Sequence, residues 1–490
     1  MRFDAVVVGS GPNGMAAAVT LARAGLDVTV LERSDHIGGG ASTLELTEPG
    51  EWHDVCSAVH PLAMTSDFFR RFGLADRVEM LTPEISYGQP ITPTRSAIAY
   101  RDLARTADEL GVDGETWRRL FAPYAADAIP LTDFIGNPML PVPRHPLMAA
   151  GYGLRVLRHG TPAWGSAFRQ DAAPALLAGV FAHTIRTMPS IGTAAAGLAL
   201  AALAHGPGWP VPRGGSAAIT HALVDDLQQH GGRVLTGVEV DRFSDLPPAL
   251  VTLLDVTPRA LVGMDDEGAL PAIFRRRMER FRYGNAAAKA DFVLSEPVPW
   301  KDERLRRAVT VHVGGSRADI AGAERAVADG EHAKQPYVLT CQPTVLDPSR
   351  SVTGRTIFWA YTHVPAGSEV DPRETIIRRV EEFAPGFRDT IAASSSFSAR
   401  RLAEVELNDV GGDIAAGDVS ALQLITRPRL SVTPWDTPRR GTYLCSASTV
   451  PGPGVHGQCG WLAARRALAR ELGIVEPPDL SPAPVARTKG

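Results

Sequence analysis

At 490 residues the chain exceeds what one compact core organises, and about one domain per 150 residues predicts two or three units. An apolar fraction of 44%, a charged fraction of 21% and a net charge of -4 exclude a disordered chain and argue against nucleic acid as a partner. The basic residues are almost all arginine, Lys289, Lys301, Lys334 and Lys489 being the only lysines, which reads as GC-rich codon usage rather than a binding surface.

The stretch FDAVVVGSGPNGMAAAVTLARAGLDVTVLER, residues 3 to 33, predicts a strand over Ala5–Val8, a turn, a helix over Asn13–Ala24, a stop at Gly25 and a second strand over Val28–Leu31 that ends on Glu32. The turn holds Gly9-x-Gly11-x-x-Gly14. Gly9 turns tightly, Gly11 lets a pyrophosphate approach the backbone, Gly14 lets helix and strand pack closely, and Glu32 accepts from ribose hydroxyls. The helix N-terminus adds about half a positive charge for the phosphates. A strand, glycine turn, helix and acid in this order specify dinucleotide binding, with Ser10, Asn13 and Arg33 as further contacts.

A second glycine loop, RSDHIGGGAST, follows the second strand at 33 to 43. An NAD domain would enter its next helix here. A longer, extended FAD needs a loop around its phosphates and isoalloxazine, which makes Gly39, Gly40, Ala41 and Ser42 candidate FAD contacts; a plain surface turn is the alternative. The piece 134 to 165 mixes prolines, large apolar residues and arginines, and reads either as a lid or membrane-surface entrance or as helices covering a core. The uncharged run 187 to 212 has an apolar centre, Ile191 to Ala204, too short for the roughly 20 residues of a spanning helix, so a buried helix is expected. GGRVLTGVEVDRF, 231 to 243, predicts a turn and a strand; in flavoproteins such a strand lays its backbone against adenine, which makes Val238 the candidate contact.

Near the C-terminus, GPGVHGQCGWLAARRALAR, 452 to 470, follows an expected strand over Thr442–Ala447 and opens a helix with bare backbone. A second dinucleotide fold would need a strand after this helix, and only GIVE, 473 to 476, precedes Pro477 and Pro478. The expectation is instead that the helix returns to the first unit. Its N–H groups, from Gly457 and Gln458 onward, would then face the flavin pyrimidine edge and stabilise charge at N1 and C2=O. The four cysteines, Cys56, Cys341, Cys445 and Cys459, show no CxxC or metal-finger spacing, so neither a metal site nor a redox dithiol is expected. No secretory leader is read before the first strand, which makes the cytoplasm the expected location, with peripheral membrane contact allowed by 134 to 165.

These motifs, with HDVCSAVHPLA at 53 to 63, GGSAAITHALVDDLQQHGGRV at 214 to 234, LSEPVPW at 294 to 300, VHVGG at 311 to 315 and EEFAPGFRD at 381 to 389, resemble the phytoene-desaturase-related FAD oxidoreductases. The likeness is greatest to the pyridine nucleotide-disulphide oxidoreductase domain 2 type. It implies an α/β fold: a discontinuous Rossmann-like FAD domain over 1–75, 208–300 and 435–490, and a substrate domain of mixed sheet plus helices over 76–207 and 301–434. Two positions depart from the pattern. Gly40 stands where many relatives carry a flavin-contacting arginine, and Ser446 and Ala447 replace a Gly-Asp whose acid holds the ribityl chain, leaving the Ser446 or Ser448 hydroxyl to substitute.

The resemblance implies flavin redox chemistry on a hydrophobic small molecule, isoprenoid or polyene, with hydride transfer to N5. A redox-neutral double-bond isomerase, an amine oxidase and a non-catalytic flavin-binding regulator are the alternatives, in that order. Lys289 opens an apparent strand ending at Trp300 and is similar to the amine-oxidase lysine that holds a water at N5; a strand-edge lysine facing solvent is the other reading. His456, in the flavin-facing loop, is a catalytic candidate, and His60, Tyr361 and His363, with His312, are candidates for lining the substrate cavity rather than satisfying buried backbone.

Overall fold

A computed structural model describes residues 3–482; residues 1–2 and 483–490, at the outer ends of the expected segments 1–75 and 435–490, lie outside the described residues. Strand β1 (Phe3–Val8) leads through α1 (Pro12–Arg23) into β2 (Val28–Leu31). A hairpin of β3 (Ile85–Thr92) and β4 (Arg95–Tyr100) is followed by helices α2 (Pro146–His159), α3 (Ala172–Phe181) and α4 (Ile191–Ala204). Next come α5 (Ala217–Gln229), β5 (Arg233–Leu235), β6 (Ala249–Leu254), β7 (Ala286–Leu294), β8 (Thr310–Val313) and α6 (Arg317–Ala328). The described chain closes with β9 (Val338–Cys341), β10 (Thr356–Val364), β11 (Ile391–Phe397), α7 (Ala399–Val405), α8 (Ala421–Thr426), β12 (Thr442–Leu444) and α9 (Gln458–Ala467).

Two main sheets result. The first has the order β12-β6-β1-β2-β5, every neighbouring pair parallel. Helices α1, α5 and α9 contribute Ala16, Leu223 and Ala464 to one apolar cluster with β1 and β2. Because α1 is buried all round from Asn13 to Ala22, those residues are uncharged and mostly small rather than amphipathic, and only Arg23 in the last turn carries a charge. The second sheet has the order β11-β7-β10-β9-β8-β3-β4 and is antiparallel except where β8 meets β3. Its register pairs Lys289 with Tyr361, Asp291 with Trp359 and Ala287 with His363, so these side chains share one face. The opposite face carries Phe292 and Phe358, packed on Phe387.

Several expectations are revised. The strand expected to run from Lys289 to Trp300 spans Ala286–Leu294 and stops before Pro297 and Pro299, which lack a ladder donor. Since β7 pairs with β10 and β11, residues 286–294 belong to the second sheet, not to the dinucleotide unit that was expected to extend to residue 300. The expected strand over 231 to 243 is only Arg233–Leu235; Gly237 (φ +70) turns the chain so that Val238 N–H donates to Glu32 O. The strand near the C-terminus ends at Leu444 instead of Ala447. Residues 191–204 do form a buried helix, and among the described residues no helix is long and apolar enough to cross a membrane.

Candidate functional site

In open parallel sheets ligands bind beyond the C-terminal strand ends, and β1, β2 and β6 all end at one elongated cleft. Gly9 (φ +96) turns the chain out of β1, and Gly11, which precedes α1, offers no side-chain cap, leaving the first-turn N–H groups for other partners. A Cβ on Gly14 would lie 2.1 Å from Gly9 O, so only glycine allows this helix to start so close to the strand turn. Across the cleft Gly38 (φ +114) and Gly39 (φ +50) shape the second loop, and a Cβ on Gly39 would be 3.4 Å from Gly11 Cα. The two glycine loops thus face one another closely, and the Ser10 hydroxyl bridges them by accepting from Gly38 N–H at 3.1 Å. The Glu32 carboxylate accepts from Ser10 N–H (2.8 Å), Ser10 Oγ (2.7 Å) and Ser34 N–H (2.8 Å), which orients it at the end of β2.

Of the residues expected to hold a cofactor, Gly9, Ser10, Gly11, Asn13, Glu32, Arg33, Gly39, Gly40, Ala41 and Val238 line this cleft. Gly14 lies behind it as a packing residue. At the far end Ala447, Gly454 and Val455 line it in place of Ser446, Gly457 and Gln458. Ser446 is buried and donates to Val256 O at 2.7 Å; Ser42 is buried next to the loop. Gln458 is also buried: its Oε1 accepts from Phe68 N–H and its own N–H donates to His456 Nδ1.

The bare backbone opening α9 has a packing origin. A Cβ on Gly460 would fall 1.7 Å from Asn13 O, and one on Gly457 would fall 2.4 Å from the Phe68 ring and 3.0 Å from Ala16 Cβ. These glycines let α9 cross α1 at close range. His456 is correspondingly no acid or base toward the cleft. Its Nε2–H donates to Gly452 O (3.1 Å), its Nδ1 accepts from Gln458 N–H (3.0 Å), and burial lowers its pKa to about 4.

Lys289 does not face solvent, as one of its two readings had it. It is buried, and its Nζ contacts both Asp291 carboxylate oxygens at 2.6 Å, with His53 Nδ1 3.4 Å from the same carboxylate. Burial pushes Asp291 up, but Lys289 and His53 more than offset it and hold the carboxyl below its usual range. Replacing Lys289 by Met strands a buried carboxylate, so Lys289→Met is expected to lower unfolding stability by about 3–5 kcal/mol. Urea denaturation at neutral pH measures this, and Lys289→Met/Asp291→Leu is expected to recover most of the loss.

The remaining candidates sit apart from the cleft lining. His60 Nε2 hydrogen-bonds Ser216 Oγ at 2.7 Å, and burial lowers its pKa to about 4. Tyr361 stacks between Trp359 and His363, with ring centroids 5.8 and 5.7 Å away. His363 Nδ1 is bound by Glu324 of α6, and His312 Nε2 lies 3.0 Å from His183 Nε2. These rings form part of the apolar interior of the second unit, whose side chains reach the cleft at Ile414.

The sequence reading missed the acids of the cleft. Asp255 follows β6, accepts from Gly14 N–H at 2.8 Å, and presses against Gly9. Burial raises its pKa to about 7, the Gly14 N–H partly offsets this, and the charge on Glu32 adds to the rise. Glu406 enters from the far side and is also raised to about 7, by burial and by Glu32 and Asp255 against the opposing charge of Arg33. Asp409 is pushed up by burial, Glu406 and Asp413. Two hydrogen bonds tie this segment down: Arg33 donates to Val405 O and Asn408 donates to Asp255 O. The position of Asp255 at the end of a parallel strand was a usable signal. Nothing local marks Glu406 or Asp409.

Comparison with known proteins agrees with this geometry. Residues 7–72 match the NAD(P)-binding Rossmann-like domain family. The pyridine nucleotide-disulfide oxidoreductase domain-containing protein 2 of Rattus norvegicus is 24% identical, covering 94% of this chain and 93% of its own. A phytoene dehydrogenase of Streptomyces griseus is 27% identical, over 92% of each. In fold, a putrescine oxidase variant with redesigned cofactor binding is similar at a TM-score of 0.59 with 15% identity, over 96% of this chain and 99% of that one. The chain is therefore an oxidoreductase on a Rossmann-like dinucleotide-binding fold. The rat protein and the Streptomyces dehydrogenase are its homologues over nearly the full length.

Proposed function

We propose that the chain is an FAD-dependent oxidoreductase that removes hydrogen from a largely apolar small molecule, with carbon–carbon desaturation as the reaction. The observation that carries this reading is the second glycine loop, set against the first across a cleft that continues from Leu31 and Glu32 to Ala447, Gly454 and Val455. The first loop alone serves a nicotinamide dinucleotide; a second loop after β2 is where flavoproteins of similar fold wrap the longer FAD. When bound, FAD supplies the hydride acceptor at N5. Glu32 would hold the adenosine ribose, and Gly9, Gly11 and the uncapped start of α1 would take the diphosphate. Gly39, Gly40 and Ala41 would follow the cofactor toward Ala447 and Gly454. The apolar interior reaching the cleft at Ile414 supports a hydrophobic substrate, as does the full-length likeness to a phytoene dehydrogenase.

The expected result is a yellow purified protein that releases stoichiometric FAD on denaturation. Material that stays colourless and fails to take up FAD on reconstitution overturns the proposal. With substrate under anaerobic conditions, bleaching of the flavin is expected; product formed without net bleaching would make the enzyme an isomerase instead.

A further inference from the structure

Arg427, just after α8, is wholly buried, and its hydrogen bonds go only to neutral carbonyls. Its Nη2 donates to Ala415 O at 3.2 Å and to Gly417 O at 2.8 Å, while Nε and Nη1 have no partner among the described residues. The acid that acts on it, Asp413, accepts instead from the N–H groups of Gly284 (2.7 Å), Ala415 (3.0 Å) and Gly417 (2.9 Å). Burial lowers the Arg427 pKa to about 10 against the opposing pull of Asp413, so it stays charged at neutral pH. Two carbonyls need only a neutral donor. A buried cation without a counterion in contact costs far more than such a donor, and that cost calls for a negative partner elsewhere.

The place of Arg427 in the fold points to that partner. A Cβ on Gly452 would lie 2.8 Å from Nη1, and Ala416, whose neighbours' carbonyls Nη2 holds, lines the cleft with Ala447, Gly454 and Val455. Ala416 is kept at φ +48, a left-handed conformation that favours glycine, by these bonds and by Ser448 Oγ, which donates to Ala416 O at 2.7 Å. The guanidinium thus backs the end of the cleft farthest from Glu32. Elsewhere the cleft is acidic, with Glu32, Asp255, Glu406 and Asp409 along it, and the cation that lines it, Arg33, stands beside Glu32.

We infer that Arg427 supplies a positive field at the ring end of the bound flavin and raises its reduction potential. Hydride transfer to N5 delivers two electrons and one proton, leaving one net negative charge at N1 and C2=O; the acids of the cleft oppose that charge and a buried cation favours it. The N–H groups opening α9 were expected in this role, but Gln458 N–H donates to His456 Nδ1 and the start of the helix packs on α1. Because Ala416, not Arg427, lines the cleft, Arg427 is a positioning residue rather than a catalytic one. This role rests on the FAD reading above and adds to it what sets the potential of the cofactor.

The midpoint potential of the FAD-loaded protein, measured against a reference dye during anaerobic reduction, tests this role. Sulfite affinity is a second readout, since addition of sulfite to N5 also leaves negative charge at N1. In Arg427→Met the two-electron reduction equilibrium is expected to become at least tenfold less favourable, a potential lower by about 30 mV, and sulfite affinity to fall at least tenfold. Arg427→Lys, which keeps the charge, is expected to stay within threefold of the parent in both. Asp413→Asn keeps an oxygen for the Gly284 and Gly417 N–H groups and removes the opposing charge, so both readouts are expected to move at least threefold the other way. Opposite signs do not arise from a merely structural disturbance, and Asp413→Asn carries the test where Arg427→Met does not fold. Shifts below threefold in Arg427→Met would overturn the inference, as would an Asp413→Asn shift that is absent or runs in the same direction as that of Arg427→Met. A protein that takes up no FAD overturns the FAD reading and this role together; a loaded protein indifferent to these changes overturns the role alone.

Discussion

Gly14→Ala is expected to abolish dinucleotide uptake, weakening FAD binding at least 100-fold while leaving a folded protein. The added Cβ would sit 2.1 Å from Gly9 O and 3.1 Å from Asp255 Oδ2, and the nearest atom is backbone that cannot rotate away. The start of α1 must therefore move off β1. That displaces the Gly14 N–H from Asp255, now 2.8 Å away, and misaims the uncapped N–H groups that would meet the diphosphate. Overpacking of this kind lowers stability by about 1–3 kcal/mol, less than a domain's total. Gly263→Ala, at a position with nothing within 4 Å, is the matched control and is expected to bind as the parent does. Titration of the apoprotein with FAD, read by quenching of flavin fluorescence, measures both; parental affinity in Gly14→Ala would refute the assignment of the first glycine loop.

The second large effect is expected from Asp255→Asn, and it depends on pH. In the folded chain Asp255 has a pKa of about 7, against an ordinary value of 3.8. The native state therefore keeps a proton that the unfolded chain has released, and stability falls as pH rises from about 4 to 7, by up to about 4 kcal/mol at 1.36 kcal/mol per pKa unit. Below that window the site contributes no difference, and above it the deficit is constant. Asparagine retains an oxygen for the Gly14 N–H and removes the charge. Urea denaturation is thus expected to show the variant more stable than the parent at pH 8 and similar to it at pH 4.

The same charge opposes a diphosphate at the head of α1. Affinity of the parent for FAD is expected to rise as pH falls from 8 to 6, by at most about tenfold per pH unit for each proton taken up. In Asp255→Asn the affinity at pH 8 should be higher and the slope shallower, with Glu406, also near 7, supplying what slope remains. Identical slopes in parent and variant would show that Asp255 does not face the bound anion.

The local part of this protein was legible from sequence alone. The β1–α1–β2 unit with its glycines and Glu32, the second glycine loop and the buried helix α4 each depend on neighbours within about 30 residues. Spacing and residue size carry that information directly. The sequence reading also took the bare backbone that opens α9, from Gly457 onward, as the place where a flavin approaches. Packing decided that α1 approaches it instead, and the same contact uses up both nitrogens of His456.

Tertiary structure alone decided the electrostatics of the cleft. Asp255 and Glu406 lie more than 200 residues from the Gly9–Gly14 turn in sequence and meet it only because β6 pairs with β1 and the segment after α7 folds over the opposite wall. It likewise settled Lys289, whose partner Asp291 is two residues away: alternation along β7 puts both side chains on one face, and burial of that face turns their proximity into an ion pair. A residue's spacing states which side it occupies. What covers that side, and therefore whether its charge meets water, a partner or a ligand, is a property of the assembled fold.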